Sequence, residues 1–236
     1  MGAVVAAPIG VITGLTVEAD ILRPLAERGL IRLGVAGASE QRARDLARRF
    51  ADEGARGLLS FGICGGLVGA VRVGDLVLAE RVIHPEGPTV ETHLPWRLAL
   101  LGALQRSRGV SVRSGALVGS AVLVEQPLDK TALNVRHRAV AVDMESHAVA
   151  TVAQEAGLPL LILRTCSDAA ERAFPIAALE AMSPDGSFRL GPVLRAVARK
   201  PWVVPGLLRL GMETRHALTT LKRVVREEGA LLGVGS

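Results

Sequence analysis

Between Val140 and Glu171 the chain reads VAVDMESHAVATVAQEAGLPLLILRTCSDAAE, and this run narrows the fold more than any other. A short apolar strand over 139–142 delivers Asp143, Met144 and Glu145. Apolar residues at Met144, Ala148, Val149, Val152, Ala153 and Ala156 then follow the 3–4 spacing of one buried helix face. Gly157 suits the helix C-terminus, and Pro159 bars its continuation. A second strand over 160–163 ends in Arg164, Thr165, Cys166, Ser167 and Asp168. The pattern predicts two parallel strands of an α/β sheet, with carboxylates at their carboxyl ends, where such sheets hold ligands.

Acidic residues at these places have two readings. Asp143 or Glu145 can cap a helix and complement its dipole, and Asp168 can do the same for a following helix. They can also act on a ligand. Composition narrows the ligand: the 236 residues are 49% hydrophobic but only 3% aromatic, with no Tyr. The core is therefore Leu, Val and Ala, and a base-stacking surface for nucleic acid is not expected. From Arg189 onward there are nine basic and three acidic residues, whereas the remaining 188 residues carry 19 basic and 20 acidic. The charge belongs to the C-terminal segment, which points to an anionic surface as its partner. Cys64 and Cys166 form no CxxC and no zinc pattern, so no metal is expected and a reduced, cytoplasmic setting follows. Residues 1–17 lack a basic leader and are too short to span a membrane, and read as a buried first strand.

The residues also carry a resemblance. AVDMES followed by LRTCSDAAE resembles the paired signature of the purine nucleoside phosphorylase and nucleosidase superfamily. That likeness implies a three-layer α/β sandwich with a central mixed sheet, and cleavage of a purine nucleoside at its N-glycosidic bond. Met144 would pack under the sugar, and Glu145, with Asp143 beside it, would bind ribose hydroxyls. Asp168, next to Ser167, would be the general acid at the base N7. The chemistry suits these residue types: the departing base gathers negative charge, and a carboxyl that shares its proton relieves it, typically by ~10²–10⁴-fold.

Residues 9–12, IGVI, followed by Glu18 are similar to the opening of methylthioadenosine/S-adenosylhomocysteine nucleosidases. By that likeness Glu18 is the base that activates water; as a bare sequence feature it is a first-turn helix Glu. The helix it belongs to spans 16–28, and the basic helix over 41–49 reads as a solvated face. Residues 57–69, GLLSFGICGGLVG, read as a strand entering a glycine-rich turn, with Gly62, Ile63, Cys64, Gly65 and Gly66 at the ligand. It is neither a dinucleotide loop nor a Walker motif. The superfamily commonly has Ser where this chain has Ile63, which weakens a phosphate site. A strand over 115–124 places Leu123 and Val124 beside the base. His84 and His93 are candidates for the sugar side, and Arg23 or Arg81 for an anion. Hydrolysis is favoured, no cofactor is implied, and phosphate is the one candidate co-substrate.

Residues 1–187 form the catalytic domain in this reading, and 188–236 a basic, amphipathic helical segment packed on it. Residues 188–211 mix Leu, Val and Trp with Arg and Lys, which suits either an interfacial segment on a membrane or a helix pair with a wet basic face. With FGICGG and TCSDAAERAFP, this tail resembles the bacterial hopanoid-associated phosphorylases, which are taken to remove adenine from adenosylhopane. The resemblance implies a lipid-linked nucleoside substrate, a peripheral place on the inner membrane face, and a homodimer or higher oligomer.

Overall fold

The computed structural model describes residues 7–106, 109–174, 183, 186–187, 199, 202, 204–227 and 231–232. Within them run strands β1 (Ile9–Thr13), β2 (Ile31–Val35), β3 (Leu58–Gly66), β4 (Leu76–Ile83), β5 (Thr89–Glu91), β6 (Val112–Gly119), β7 (Ala139–Asp143) and β8 (Leu160–Asp168). The helices are α1 (Thr16–Glu27), α2 (Glu40–Asp52), α3 (Leu94–Arg106), α4 (Pro127–His137), α5 (Ser146–Glu155) and α6 (Val204–Val225).

Strand alternation sends successive side chains to opposite faces of the sheet. Leu58, Leu160 and Ile162 join one core, where Ala43, Ala47 and Phe50 of α2 meet Ala148, Val149 and Val152 of α5. Leu59, Phe61, Leu161 and Leu163 join the other, with Leu22 of α1, Trp96 and Leu100 of α3, and Leu221 and Val224 of α6. The result is an α/β fold with a central mixed sheet and helices on both faces, as expected. The basic residues of α2 stay outside while its i, i+4, i+7 positions Ala43, Ala47 and Phe50 are buried, so its charge run is a solvated face. Ser39 caps that helix by accepting from the Arg42 amide.

One expectation fails. β3 pairs parallel with β8 and antiparallel with β7, so the two carboxylate-bearing strands run antiparallel to each other. β3 is nine residues long, shifts register between Cys64 and Gly65, and pairs with β7 and β8 along different edges in opposite directions. One of its edges carries β8; the other takes β1 near its start and β7 at Gly65 and Gly66. With β4 bridging β8 to β6, and β6 pairing β7, the pairings of β3, β8, β4, β6 and β7 close on themselves. Asp168 and Val142 thereby flank the same glycine, Gly65, from opposite edges. Convergence at a bulged strand replaces the expected parallel neighbours.

Two boundaries also move. The FGICGG run is strand to Gly66 rather than a turn. The strand expected over 115–124 stops at Gly119, where the Ser120 hydroxyl donates to Val122 O and Leu123 and Val124 enter a loop. At the C-terminus, a single 22-residue helix replaces the expected helix over 213–228. Of the segment read as membrane-contacting, 188–198, 200–201 and 203 lie outside the described residues. No described helix is long and apolar enough to cross a membrane.

Candidate active site

The convergence at Gly65 creates one cavity, whose wall includes Glu18, Ile63, Cys64, Gly65, Leu123, Asp143, Met144, Glu145, Ser167 and Asp168. Ten of the residues singled out from sequence therefore meet in one place. Val124 sits in a small adjoining hollow with Leu123, Met144 and Asp168. Gly62 lies behind the wall: a Cβ there would stand 2.6 Å from both Glu18 Oε1 and Arg164 Nη1. Its role is to let that pair close, not to touch a ligand.

Glu18 stands in the first turn of α1 and also lines the cavity. The carboxylate is buried in the first turn of α1, where Oε2 accepts from the Gly14 and Leu15 amides at 2.9 Å each. Oε1 accepts from the Ile63 amide at 2.8 Å. Three of about four acceptor positions are thus filled, which leaves one on Oε1 for a water or a substrate hydroxyl. Ile63 thus contributes its backbone amide to the site. Burial pushes the Glu18 carboxyl above the ordinary range, opposed by Arg164 and these amides.

Asp143 and Glu145 both line the cavity and differ in their partners. Asp143 caps α5: Oδ1 accepts from the Ser146 amide at 3.1 Å, and Oδ2 takes the Ser146 hydroxyl. Glu145 makes no capping bond. Its Oε2 instead meets Arg164 Nη2 at 3.2 Å. Arg164, which the sequence reading did not single out, is fully buried. Its Nη2 lies 2.6 Å from Asp143 Oδ2 and donates to Ser60 Oγ at 2.6 Å. One guanidinium therefore faces three buried carboxylates, those of Glu18, Asp143 and Glu145. Burial, with Asp143 and Glu18 nearby, outweighs the attraction of Arg164 and holds the Glu145 carboxyl up at about 8. A carboxyl held there keeps its proton at neutral pH and can donate a hydrogen bond as well as accept one.

Asp168 stands across the cavity at the end of β8. Its Oδ2 receives Lys130 Nζ at 2.5 Å, and its Oδ1 lies 3.2 Å from the Ser167 hydroxyl. Lys130 is a second residue that sequence reasoning missed. Burial raises both thiols, Cys64 and Cys166, the latter to about 12, so neither supplies a thiolate nucleophile.

The other candidates lie elsewhere. His93 Nδ1 accepts the Trp96 amide at the start of α3. His84 packs edge-on against His147 with ring centroids 5.0 Å apart. Glu40, His84 and His147 bring possible metal-ligand atoms within 4.8 Å. Both Glu40 oxygens are already engaged, Oε1 by Arg44 and Oε2 by His147 Nε2, which makes the group a polar brace between α2 and α5. Arg23 pairs with Asp20 on the outer face of α1, and neither it nor Arg81 lines the cavity.

The family profile described as the phosphorylase superfamily matches residues 25–197. The chain belongs to this superfamily. The enzyme class expected from the sequence, an N-ribosyl hydrolase or phosphorylase, stands with that membership. No curated protein matches the sequence. Among solved structures, the 5′-methylthioadenosine/S-adenosylhomocysteine nucleosidase of Neisseria meningitidis, in complex with methylthio-immucillin-A, is 18% identical with a TM-score of 0.68. That similarity covers 93% of this chain and 99% of that one. The corresponding nucleosidase of Helicobacter pylori is 17% identical with a TM-score of 0.66, over 94% of this chain and 98% of that one. Futalosine hydrolase of Helicobacter pylori is similar to the same degree, 17% identical with a TM-score of 0.66. These likenesses establish the fold; α6 lies beyond the last residue of the superfamily match.

Proposed function

We propose that this chain hydrolyses the N-glycosidic bond of an adenine nucleoside, with Glu18 as base toward water and Asp168 as acid toward purine N7. The observation that carries the choice of water is the charge of the cavity. Glu18, Asp143, Glu145 and Asp168 line it, and Arg164 is the one basic residue that does so among those described. Its guanidinium is already committed to Asp143, Glu145 and Ser60. A phosphate dianion entering this corner would meet like charge in a poorly solvated space, whereas water meets a free acceptor on Glu18. In the forward step Glu18 takes a proton from water as the oxygen attacks C1′. The C1′–N9 electron pair passes to the base as Asp168 protonates N7. Met144 supports the sugar face, and Glu145 fixes ribose hydroxyls.

The substrate carries a large apolar 5′ substituent in this reading, as adenosylhopane does, and the enzyme works at a membrane surface. Leu15, Ile63, Leu123, Val142, Phe174 and Leu210 supply an apolar wall. Leu210 and Thr214 face the cavity from α6, while Leu208 and Met212 of the same helix are 65% and 67% exposed. Trp202, just before it, is 72% exposed. Apolar side chains among Arg209, Arg215 and Lys222 suit contact with an anionic bilayer.

Adenine release from adenosylhopane in anionic vesicles, beside 5′-methylthioadenosine and adenosine in solution, tests this reading. The expected result is fastest turnover of the lipid nucleoside, lost in Glu18→Gln by about 10²–10⁴-fold with nucleoside binding retained. Turnover of methylthioadenosine alone would replace the lipid substrate by a soluble one. Full activity of Glu18→Gln would remove it as the base.

A further inference from the structure

Helix α4 buries a single residue against the domain, and that residue is a lysine. Lys130 has no solvent exposure. Its ammonium places three donors on three acceptors: Asp168 Oδ2 at 2.5 Å, Ala169 O at 3.0 Å and Arg172 O at 3.0 Å. A buried ammonium is costly unless it is paired and its protons are all accepted, and here both conditions hold. The side chain thus ties α4 to the end of β8 and to the backbone that follows, up to the turn before Phe174 on the cavity wall.

The arrangement distinguishes the two oxygens of Asp168. Oδ2 is taken by the ammonium. Among the described residues Oδ1 has only the Ser167 hydroxyl, which holds one proton and has two acceptors within reach, Asp168 Oδ1 at 3.2 Å and Cys64 O at 3.3 Å. That hydroxyl can turn to Cys64 O when Oδ1 carries a proton and return when Oδ1 becomes an anion.

We propose that Lys130 is a positioning residue for proton delivery: by occupying Oδ2 it confines the transferable proton to Oδ1, and it stabilises the carboxylate that the transfer leaves behind. The inference rests on the hydrolase reading above. As the C1′–N9 pair moves into the base, the Oδ1 proton passes to N7. Adenine leaves neutral, Asp168 becomes an anion beside the ammonium, and the proton that Glu18 took from water returns through solvent. The Lys130 contact strengthens as negative charge develops on Asp168, so it favours the transition state over the ground state.

The test is a double-mutant cycle read by adenine release from a nucleoside that the wild type turns over. K130M and D168N should each lower kcat by about 10²–10³-fold, with KM within about threefold, because the defect lies in acid catalysis and not in binding. K130M/D168N should be no slower than D168N, since Lys130 acts through that carboxyl. If K130M fails to fold, D168N against K130M/D168N still decides, because Asn removes the anion that the missing ammonium would leave bare. Losses that multiply in the double variant, a K130M defect confined to KM, or K130M activity equal to wild type would each overturn the proposal. Absence of adenine release by the wild type from any nucleoside would instead refute the hydrolase reading, and the proton-donor role with it.

Discussion

The two ends of the cavity handle buried charge in opposite ways. At the Asp168 end one ammonium meets one carboxylate, and every proton of Lys130 has an acceptor. At the Glu18 end one guanidinium is shared by Glu18, Asp143 and Glu145. A balanced pair fixes a geometry and can hold it across a reaction. An unbalanced cluster must carry protons, and it repels further anions. In the proposed mechanism the Asp168 end delivers a proton and returns to the balanced pair, and the acid-rich end activates neutral water.

Removing the shared cation should break the comparison most severely. Arg164→Met leaves three buried carboxylates without a countercharge, and losing one partner of a buried network typically costs about 3–5 kcal/mol. The variant should melt far below the wild type in a calorimetric scan at neutral pH and recover part of the loss on acidification. An unchanged melting temperature would show that the cluster does not depend on Arg164.

Relieving the excess should act more mildly and in the opposite direction. Glu145 has a folded-state carboxyl at about 8, well above its unfolded value of about 4.3. The folded state therefore binds more protons than the unfolded state between these values, and stability falls as pH rises through that window. Glu145→Gln removes the effect. It should raise the melting temperature by a few degrees, with a gain that widens as pH climbs from about 5 toward about 8. The same variant should weaken nucleoside binding through its lost ribose contact. A gain independent of pH would mean that Glu145 is not the group holding the extra proton.

The sequence revealed the acidic half of this site and concealed the basic half, for a physical reason. Asp143, Glu145 and Asp168 stand at strand ends beside helix or turn signals, where an acidic residue has either a capping or a ligand role. Arg164 closes an apolar strand, and Lys130 lies in a helix whose neighbours Leu128 and Asp129 are exposed. Nothing local separates such residues from ordinary snorkelling side chains, because their partners are distant in the chain: Lys130 reaches across 38 residues to Asp168. Strand pairing was hidden in the same way. The alternation of Leu58 to Phe61 marks a strand buried on both faces, but which strands pair with its two edges, and in which direction, depends on contacts no window contains. Glu18 was legible through its likeness to a family opening and its place in the first turn of a helix, and its contact with the Ile63 amide, 45 residues away, was not.

The most direct measurement is the identity of the sugar product formed by the wild type, with and without phosphate, in water enriched in oxygen-18. The account predicts a free sugar labelled at C1′, formed at a rate that phosphate leaves unchanged. A sugar 1-phosphate, with a rate that rises with phosphate concentration, would contradict water as the nucleophile and Glu18 as its base.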